Sequence, residues 1–386
     1  MTRPVEPRSA TRDVTAPVRR RALLVGHSFR SANLGVGALS LGSVGLLAAA
    51  AKAADVDLEL HVYGSSGPLD YRTEAALPIR SEEPISRRAL AKALIRGGDW
   101  RSYDLILDLS EGDSFASIYG RGRLIDQMLM KATGVASRRP YILGPQTLGP
   151  FGRASRPLAN AMVRATTATF ARDPWSASRF ERSRLTTDVA FAVDSGCSAI
   201  DDDNGPVGIN VSGLLYDGEF GGDVVATAYR RLIGELIEDL RASGREVRLV
   251  PHVIASGADG DVGVSHRIAN QMGLQVLGHT SPVTAKRQIA ELSGFIGSRM
   301  HAVIAAVSVG VPAVAIAYSV KFEPLLKALG YEAVETLSPT IRSDDVLRWF
   351  EDPAALRAAA SRSAAQADQC LAGYRDDLTE ILGSLG

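Results

Sequence analysis

Two basic side chains stand between an apolar strand candidate and an apolar helix candidate in the last third of the sequence. Arg299 and His301 follow the apolar segment that ends at Gly297, and Lys321 follows the next such segment. Because the carboxyl ends of parallel strands lie along one edge of a sheet, these three cations are expected to converge. Their convergence favours a small ligand with more than one negative charge.

The basic cluster is local, because the chain as a whole carries no net charge. Lys plus Arg and Asp plus Glu both total 43, so no overall field draws the protein to nucleic acid or to an anionic membrane. The two cysteines, Cys197 and Cys370, are too few for a disulfide framework and are not spaced for a zinc site. They fit a reducing compartment, and we expect a cytoplasmic protein without a nucleic-acid partner.

Three further polar residues follow apolar segments in the first half of the chain. Glu111 and Asp113 come after the segment that ends at Leu109, where a carboxylate could bind a sugar or act as a base. Helix capping and turn formation explain the same two residues equally well. Arg172 ends a further short strand candidate and precedes Asp173, a predicted helix cap. Its planar guanidinium suits two-pronged binding of a phosphate or carboxylate.

Asn33, Gln146 and His252 complete the set of candidate ligand-binding residues. Asn33 lies in a turn before a helix, where backbone amides could meet an anion or a sugar hydroxyl, although Gly35 and Gly37 equally suit a tight turn. Gln146 lies in a loop, 144–150, that is rich in Gly and Pro and is expected to face the cleft. His252 follows an apolar segment and is an alternative acid or base, with a structural role favoured.

Alternating strand and helix candidates must position these residues. The first series has strands at 22–25, 58–63, 104–109 and 141–143, and helices at 35–53, 87–95, 124–133 and 156–166. The second has strands at 207–210, 247–251, 274–277, 295–297 and 313–317, and helices at 225–242, 261–272, 282–291 and 300–309. Such alternation predicts an α/β fold with two Rossmann-like, doubly wound domains and an active site in the cleft between them.

A segment rich in Ser, Gly and Asp at 194–206 indicates the domain boundary. We expect a disordered leader at 1–20, an N-terminal acceptor-side domain at 21–194, a C-terminal donor-binding domain at 207–345 and a helical tail at 346–386 across both. The apolar stretch 39–54 is interrupted by polar residues and is shorter than the ~20 residues of a membrane-spanning helix, so no transmembrane segment is predicted.

Between residues 22 and 330 the chain resembles the polysaccharide pyruvyl transferase family. The matching blocks are Asn33–Leu39, Gly112–Phe115, Gly144–Thr147, Ala171–Asp173, Asp188–Phe191, and Ser298–His301 with Tyr318 and Lys321. The last pair of blocks is the most specific. One departure is Ser110-Glu111, where many relatives carry glycine.

The resemblance implies a glycosyltransferase-B-like fold and transfer of the pyruvyl group from phosphoenolpyruvate to a glycan or a lipid-linked sugar. On this basis His301 is expected to protonate the methylene carbon of the donor, and Glu111 or Asp113 to assist the attacking hydroxyl. No metal or redox cofactor is expected. Residues expected to bind the donor anions are Arg172, Arg299 and Lys321.

Two other functions remain open. A nucleotide-sugar glycosyltransferase could share this architecture and would need a nucleotide contact near 312–318. A catalytically silent glycan-binding protein is disfavoured because Arg299 and His301 are both retained. The sequence is compatible with a homo-oligomer, and with a peripheral position at the inner membrane face through the acceptor.

Overall fold

The computed structural model describes residues 17–96, 99–257, 259–319 and 322–385. Residues 1–16 of the predicted leader lie outside this range, whereas Val18 to Arg20 belong to the first strand. The predicted donor ligand Lys321 also lies outside the described residues.

The N-terminal domain alternates strands and helices around one sheet. Its elements are β1 (Val18–Val25), α1 (Leu34–Ala53), β2 (Val56–Gly64), β3 (Ile79–Pro84), α2 (Arg87–Arg96), β4 (Leu105–Asp108), α3 (Gly120–Ala136), β5 (Tyr141–Gln146), α4 (Arg156–Arg164), β6 (Ala168–Ala171), α5 (Pro174–Ala177) and β7 (Ser183–Leu185). The strands lie in the order β3-β2-β1-β4-β5-β6-β7 and are all parallel.

The C-terminal domain repeats this plan. Its elements are β8 (Val207–Asn210), α6 (Gly213–Tyr216), α7 (Gly222–Ala242), β9 (Val247–Leu249), α8 (Asp261–Met272), β10 (Gln275–Val276), α9 (Pro282–Ala290), β11 (Gly294–Gly297), α10 (Met300–Ser308), β12 (Ala313–Ala317), α11 (Phe322–Ala328), β13 (Val334–Thr336), α12 (Ser343–Leu347) and α13 (Pro353–Gly383). The parallel strand order is β10-β9-β8-β11-β12-β13. The prediction of two Rossmann-like domains is confirmed.

Three strands are absent from the sequence-based prediction, and all three are edge strands. β3, β7 and β13 each pair with one neighbour only. Edge strands are covered on fewer sides than central ones, so their sequences need not be apolar, and β3 reads Ile-Arg-Ser-Glu-Glu-Pro. The periodicity argument therefore finds the central strands and the edge strand β10, and it misses the other three edge strands.

The start of the predicted loop 144–150 is a second difference. β5 continues through Gly144 and Pro145 to Gln146, and all of its residues are buried. The pairing of β5 with β6 shifts register between Leu143 and Gln146. This irregularity accommodates Pro145 inside a central strand. Proline has no backbone N–H and cannot donate the hydrogen bond that a regular sheet would require there.

Helix α1 occupies the junction of the two domains. It is long and apolar enough to pass a membrane-span test, but 72% of its most apolar window is buried inside the fold. The Asn33 side chain caps it by accepting a hydrogen bond from the Gly35 amide at 3.0 Å. At Gly42 a Cβ atom would stand 1.9 Å from the Val189 carbonyl oxygen, so only glycine permits this approach to the 3₁₀ turn Val189–Ala192.

Backbone contacts connect the two domains at the amino end of α1. Asn33 and Val253 form an antiparallel bridge. The Leu34 amide donates to the His252 carbonyl at 3.1 Å, and the Ile254 amide donates to the Ala32 carbonyl at 2.7 Å. The loop before α1 is therefore fixed against the loop after β9.

The last helix, α13, returns from the C-terminal domain to the N-terminal sheet. Its Tyr374 ring packs edge-on against Phe170 of β6, with ring centroids 4.7 Å apart. The Cys370 carbonyl accepts a hydrogen bond from the Thr186 hydroxyl at 3.1 Å. Because α13 also packs against α10, it contacts both domains.

Candidate active site

A buried chain of charged groups crosses from one domain to the other. His301 is the second residue of α10, directly after the carboxyl end of β11. Its Nε2 lies 3.5 Å from Oδ2 of Asp188, which is fully buried in the N-terminal domain. The same Asp188 oxygen accepts a hydrogen bond from Arg172 Nη1 at 2.6 Å. The structure therefore brings together two predicted site residues, His301 and Arg172, through a third.

Asp188 is ionised in this environment. Burial alone would raise the pKa of its carboxyl, but the charges of Arg172 and His301 and the Ala190 amide outweigh burial and hold that pKa below its usual range. Burial acts against the charge of Arg172, yet Asp188 and the nearby Asp113 raise the pKa of its guanidinium. The cation and the carboxylate stabilise each other without contact with solvent.

The His301 ring packs against the amino end of α1. A Cβ atom built on Gly35 would stand 2.4 Å from Nδ1 of His301, well inside van der Waals contact. Glycine at position 35 is thus needed for the close approach of the ring, a packing role that differs from both alternatives raised by the sequence. The domain contact fixes the position of the ring as well as its charge partner.

Arg299 is anchored by a second buried carboxylate, Asp261. Its Nε and Nη2 lie 3.1 and 2.8 Å from Oδ1 of Asp261, and Nη2 donates to the Asp259 carbonyl at 2.6 Å. The other Asp261 oxygen accepts hydrogen bonds from the amides of His252 and Val253. Burial opposes the charge of Arg299, but Asp261 raises the pKa of the guanidinium. The guanidinium stays charged and holds a fixed orientation.

His252 is the most unusual polar group at this site. It is 2% exposed, and neither ring nitrogen has a hydrogen-bond partner among the described residues. Burial, followed by the charges of His279, His301 and Arg299, holds the pKa of His252 well below its usual range. The ring is therefore neutral, with one donor and one acceptor that no described residue satisfies.

The loop that carries Glu111 and Asp113 has an uncommon backbone. Ser110, Glu111 and Gly112 have φ values of 47°, 52° and 93°. A buried ion pair supports the loop from below: Lys131 Nζ lies 2.8 Å from Asp108 Oδ2 and 2.6 Å from the Ser110 hydroxyl. Left-handed backbone at residues other than glycine is costly and needs such support.

The two carboxylates on this loop have different partners. Glu111 forms an ion pair with Arg123 and is also within 3.4 Å of the Ser114 hydroxyl. Asp113 accepts a hydrogen bond from the Tyr119 hydroxyl at 2.5 Å. The charge of Asp113 also acts on Arg172, which places Asp113 on the side of the loop that faces the buried cluster.

The side chains of Gln146 and Asn33 form hydrogen bonds with the protein backbone. The Gln146 side chain is fully buried, and its amide donates to the carbonyls of Asp108 and Gly144 at 2.9 and 3.2 Å. Gln146 makes these hydrogen bonds because it is the last residue of β5 and does not lie in a loop. Asn33 is exposed but uses its side-chain oxygen to cap α1.

Three residues at the site escaped the sequence analysis as functional candidates: Asp188, Asp261 and Tyr318. Asp188 and Tyr318 stand within the blocks that carry the family resemblance, but no pattern assigns them a role. Burial raises the pKa of Tyr318, and the charges of Arg299 and Asp113 act on it. Its ring packs edge-on against Phe220 at 5.1 Å. Among the described residues, no group of His, Cys, Asp or Glu is arranged to hold a metal ion.

The chain is similar in structure to UDP-GlcNAc 2-epimerases and to glycosyltransferases. UDP-GlcNAc 2-epimerase from Neisseria meningitidis, bound to UDP-GlcNAc, matches with a TM-score of 0.56 and 10% identity over 93% of this chain and 100% of that one. The glycosyltransferase SnogD from Streptomyces nogalater matches with a TM-score of 0.52 and 16% identity, over 94% and 99%. At such identities the likeness shows the glycosyltransferase-B-like fold alone.

Sequence comparison with protein families is more informative. No curated protein matches the chain. The family model for polysaccharide pyruvyl transferase matches residues 45–320, which include Asp188, Arg299 and His301. Because this match covers well over half of the chain, the protein belongs to the polysaccharide pyruvyl transferase family.

Proposed function

We propose that the protein transfers the pyruvyl group of phosphoenolpyruvate to two hydroxyls of a sugar, forming a pyruvate ketal. The observation that carries this proposal is the His301–Asp188–Arg172 chain, with its ring nitrogen beside a buried carboxylate at the domain junction. A histidine so placed can deliver a proton while its partner balances the imidazolium charge. Its position at the end of β11 is where open α/β sheets bind substrates.

The donor is held by groups of matching charge. Phosphoenolpyruvate carries a carboxylate and a phosphate, and Arg299 presents an oriented guanidinium that Asp261 fixes. His252 can add a neutral hydrogen bond from its unpartnered ring nitrogens. Arg172 is 3% exposed and paired with Asp188, so we assign it chiefly to holding that carboxylate. Lys321 remains a predicted third cation.

His301 starts the reaction by protonating the methylene carbon of the donor, which leaves positive charge on the neighbouring carbon. A sugar hydroxyl attacks that carbon and gives its proton to Asp113. The bond between that carbon and the phosphate oxygen then breaks, and inorganic phosphate leaves. The second hydroxyl attacks the same carbon and closes the ketal, and its proton returns to the now neutral His301. We assign the base role to Asp113 because its charge acts on both Arg172 and Tyr318, which lie at the proposed donor site.

The test is phosphate release from phosphoenolpyruvate by the full-length protein with a panel of oligosaccharides. Ketal formation predicts release that depends on one acceptor and a product heavier by one pyruvate less one water. Release of a nucleoside diphosphate from a nucleotide sugar, without phosphate release from phosphoenolpyruvate, would instead identify a glycosyltransferase. The donor chemistry fits a cytoplasmic enzyme, with contact to the membrane face only through a lipid-linked acceptor.

A further inference from the structure

A cavity of about 510 Å³ opens on the N-terminal domain, away from the residues described above. Val62 of β2 packs in the core that includes α1, and its neighbour Tyr63 points to the opposite face of the sheet and lines the cavity. α2 and the 3₁₀ turn Asp99–Ser102 form the remaining walls. The volume lies within the ~300–1,000 Å³ typical of small-molecule sites.

Aromatic rings form much of the wall. The rings of Tyr63 and Trp100 meet edge-on with centroids 6.1 Å apart, and Tyr103 packs against His61 at 5.3 Å. Neither phenol hydroxyl takes part in a hydrogen bond among the described residues, although both tyrosines are partly buried. Each phenol thus keeps a hydroxyl that can accept or donate a hydrogen bond. The Arg21 guanidinium lies over one face of the Tyr103 ring, 4.8 Å from its centroid, so a ligand can meet only the other face.

Two carboxylates, Glu83 and Asp99, stand at the rim. Beyond the effect of burial, their charges raise the pKa of both Tyr63 and Tyr103, which places them near the two phenols. Both are exposed, and neither takes part in an ion pair within the described residues. Lys92 of α2 is the cation in the lining. The carboxylates are therefore acceptors for hydroxyl donors and disfavour a phosphate or nucleotide.

We infer that this cavity binds a second saccharide unit of the acceptor, remote from the sugar that receives the pyruvyl group. A sugar ring has an apolar C–H face, which suits Tyr63, Trp100 and Tyr103, and hydroxyl donors, which suit Glu83 and Asp99. A glycan is long enough to present units beyond the reacting one. This assignment rests on the proposed function for the origin of the ligand, but the binding itself does not depend on donor chemistry.

Saturation-transfer NMR on the full-length protein tests the site with the methyl glycosides of glucose, galactose, mannose and N-acetylglucosamine. We expect at least one to bind, and Glu83→Gln combined with Asp99→Asn to weaken that binding at least about tenfold, because two charged acceptors are lost. Asp57→Asn is the matched control, since Asp57 is an exposed carboxylate on the same strand β2 outside the cavity. It should bind like the parent.

Two results would overturn the inference. One is the absence of a saturation-transfer signal for all four glycosides. The other is binding that survives the Glu83→Gln and Asp99→Asn pair but disappears in Asp113→Asn, which would place the sugar in the interdomain site. Absent phosphate release from phosphoenolpyruvate would instead count against the proposed function, and it would leave the NMR result on this cavity unaffected.

Discussion

His301 of the C-terminal domain lies 3.5 Å from Asp188 of the N-terminal domain, and the two belong to one buried cluster. Neither domain alone contains both the proposed acid and the carboxylate that orients it. The domains must therefore be docked for the ring to have its charge partner. Backbone hydrogen bonds between the Asn33 and Val253 loops hold them in that position.

Gly35→Ala is expected to reduce turnover while the fold is kept. The added methyl would stand 2.4 Å from His301 Nδ1, so the ring must move away from its position beside Asp188. A displacement on the order of 1 Å can cost about 10²-fold in rate, and we predict a loss of that size in phosphate release. Gly45→Ala on the same helix is the control, because its methyl meets nothing nearer than 3.9 Å. Equal activity of the two variants would contradict the assigned role of the ring.

Arg299→Lys should weaken phosphoenolpyruvate binding about ten- to a hundredfold, as expected when charged hydrogen bonds worth about 1.5–3 kcal/mol are lost. Lysine keeps the charge beside Asp261 but lacks the planar guanidinium. Arg267→Lys on α8 provides the control, because Arg267 is exposed and pairs with Asp217. Calorimetric titration with phosphoenolpyruvate measures the donor affinity of both variants. Unchanged affinity in Arg299→Lys would remove Arg299 from the donor site.

The central strands and long helices follow from the sequence, because each is buried enough to show a pattern. The observed β8 and β12 begin and end at the predicted residues, and so does α8, which starts at Asp261 and ends before Gly273 in the left-handed conformation. Edge strands such as β3 carry too little apolar pattern to be found.

At the site, the sequence identifies the arginines but not the carboxylates that pair with them. Arg172 and Arg299 attract notice as cations at strand ends, but each is neutralised by a carboxylate distant in sequence. Arg172 and Asp188 are 16 positions apart, and Arg299 and Asp261 are 38 apart. Only the folded chain brings such partners together, so the sequence overstates the free positive charge that the donor meets.

Stability should fall as pH is lowered from about 6.5 to about 4 because of His27. This ring is fully buried, with Nδ1 3.0 Å from the Val25 carbonyl oxygen and Nε2 3.1 Å from the Ser43 hydroxyl. Burial lowers the pKa of His27 to about 4, although the Val25 carbonyl and Asp108 oppose the shift. Between these pH values the unfolded chain binds a proton at His27 and the folded chain does not. The contribution of His27 to the free energy of unfolding is therefore complete above pH ~6.5 and is lost toward pH 4.

The His27 contribution is measured from denaturant midpoints of the parent and His27→Gln across that range. At about 1.4 kcal/mol per pH unit, the parent should lose about 3 kcal/mol more than the variant by pH 4. Because the other titrating groups are common to both proteins, the difference isolates His27. Parallel pH curves would show that the ring accepts a proton in the folded state.

The most direct measurement compares His301→Gln with the parent for donor binding by calorimetry and for phosphate release from phosphoenolpyruvate in the presence of acceptor. Glutamine offers an N–H beside Asp188 but cannot deliver a proton. We predict that donor affinity is largely kept and that phosphate release falls by ~10²–10⁴-fold, the usual effect of a lost acid–base group. Phosphate release at the parental rate would contradict the account, and a parallel fall in binding and release would make His301 an anion ligand rather than the acid.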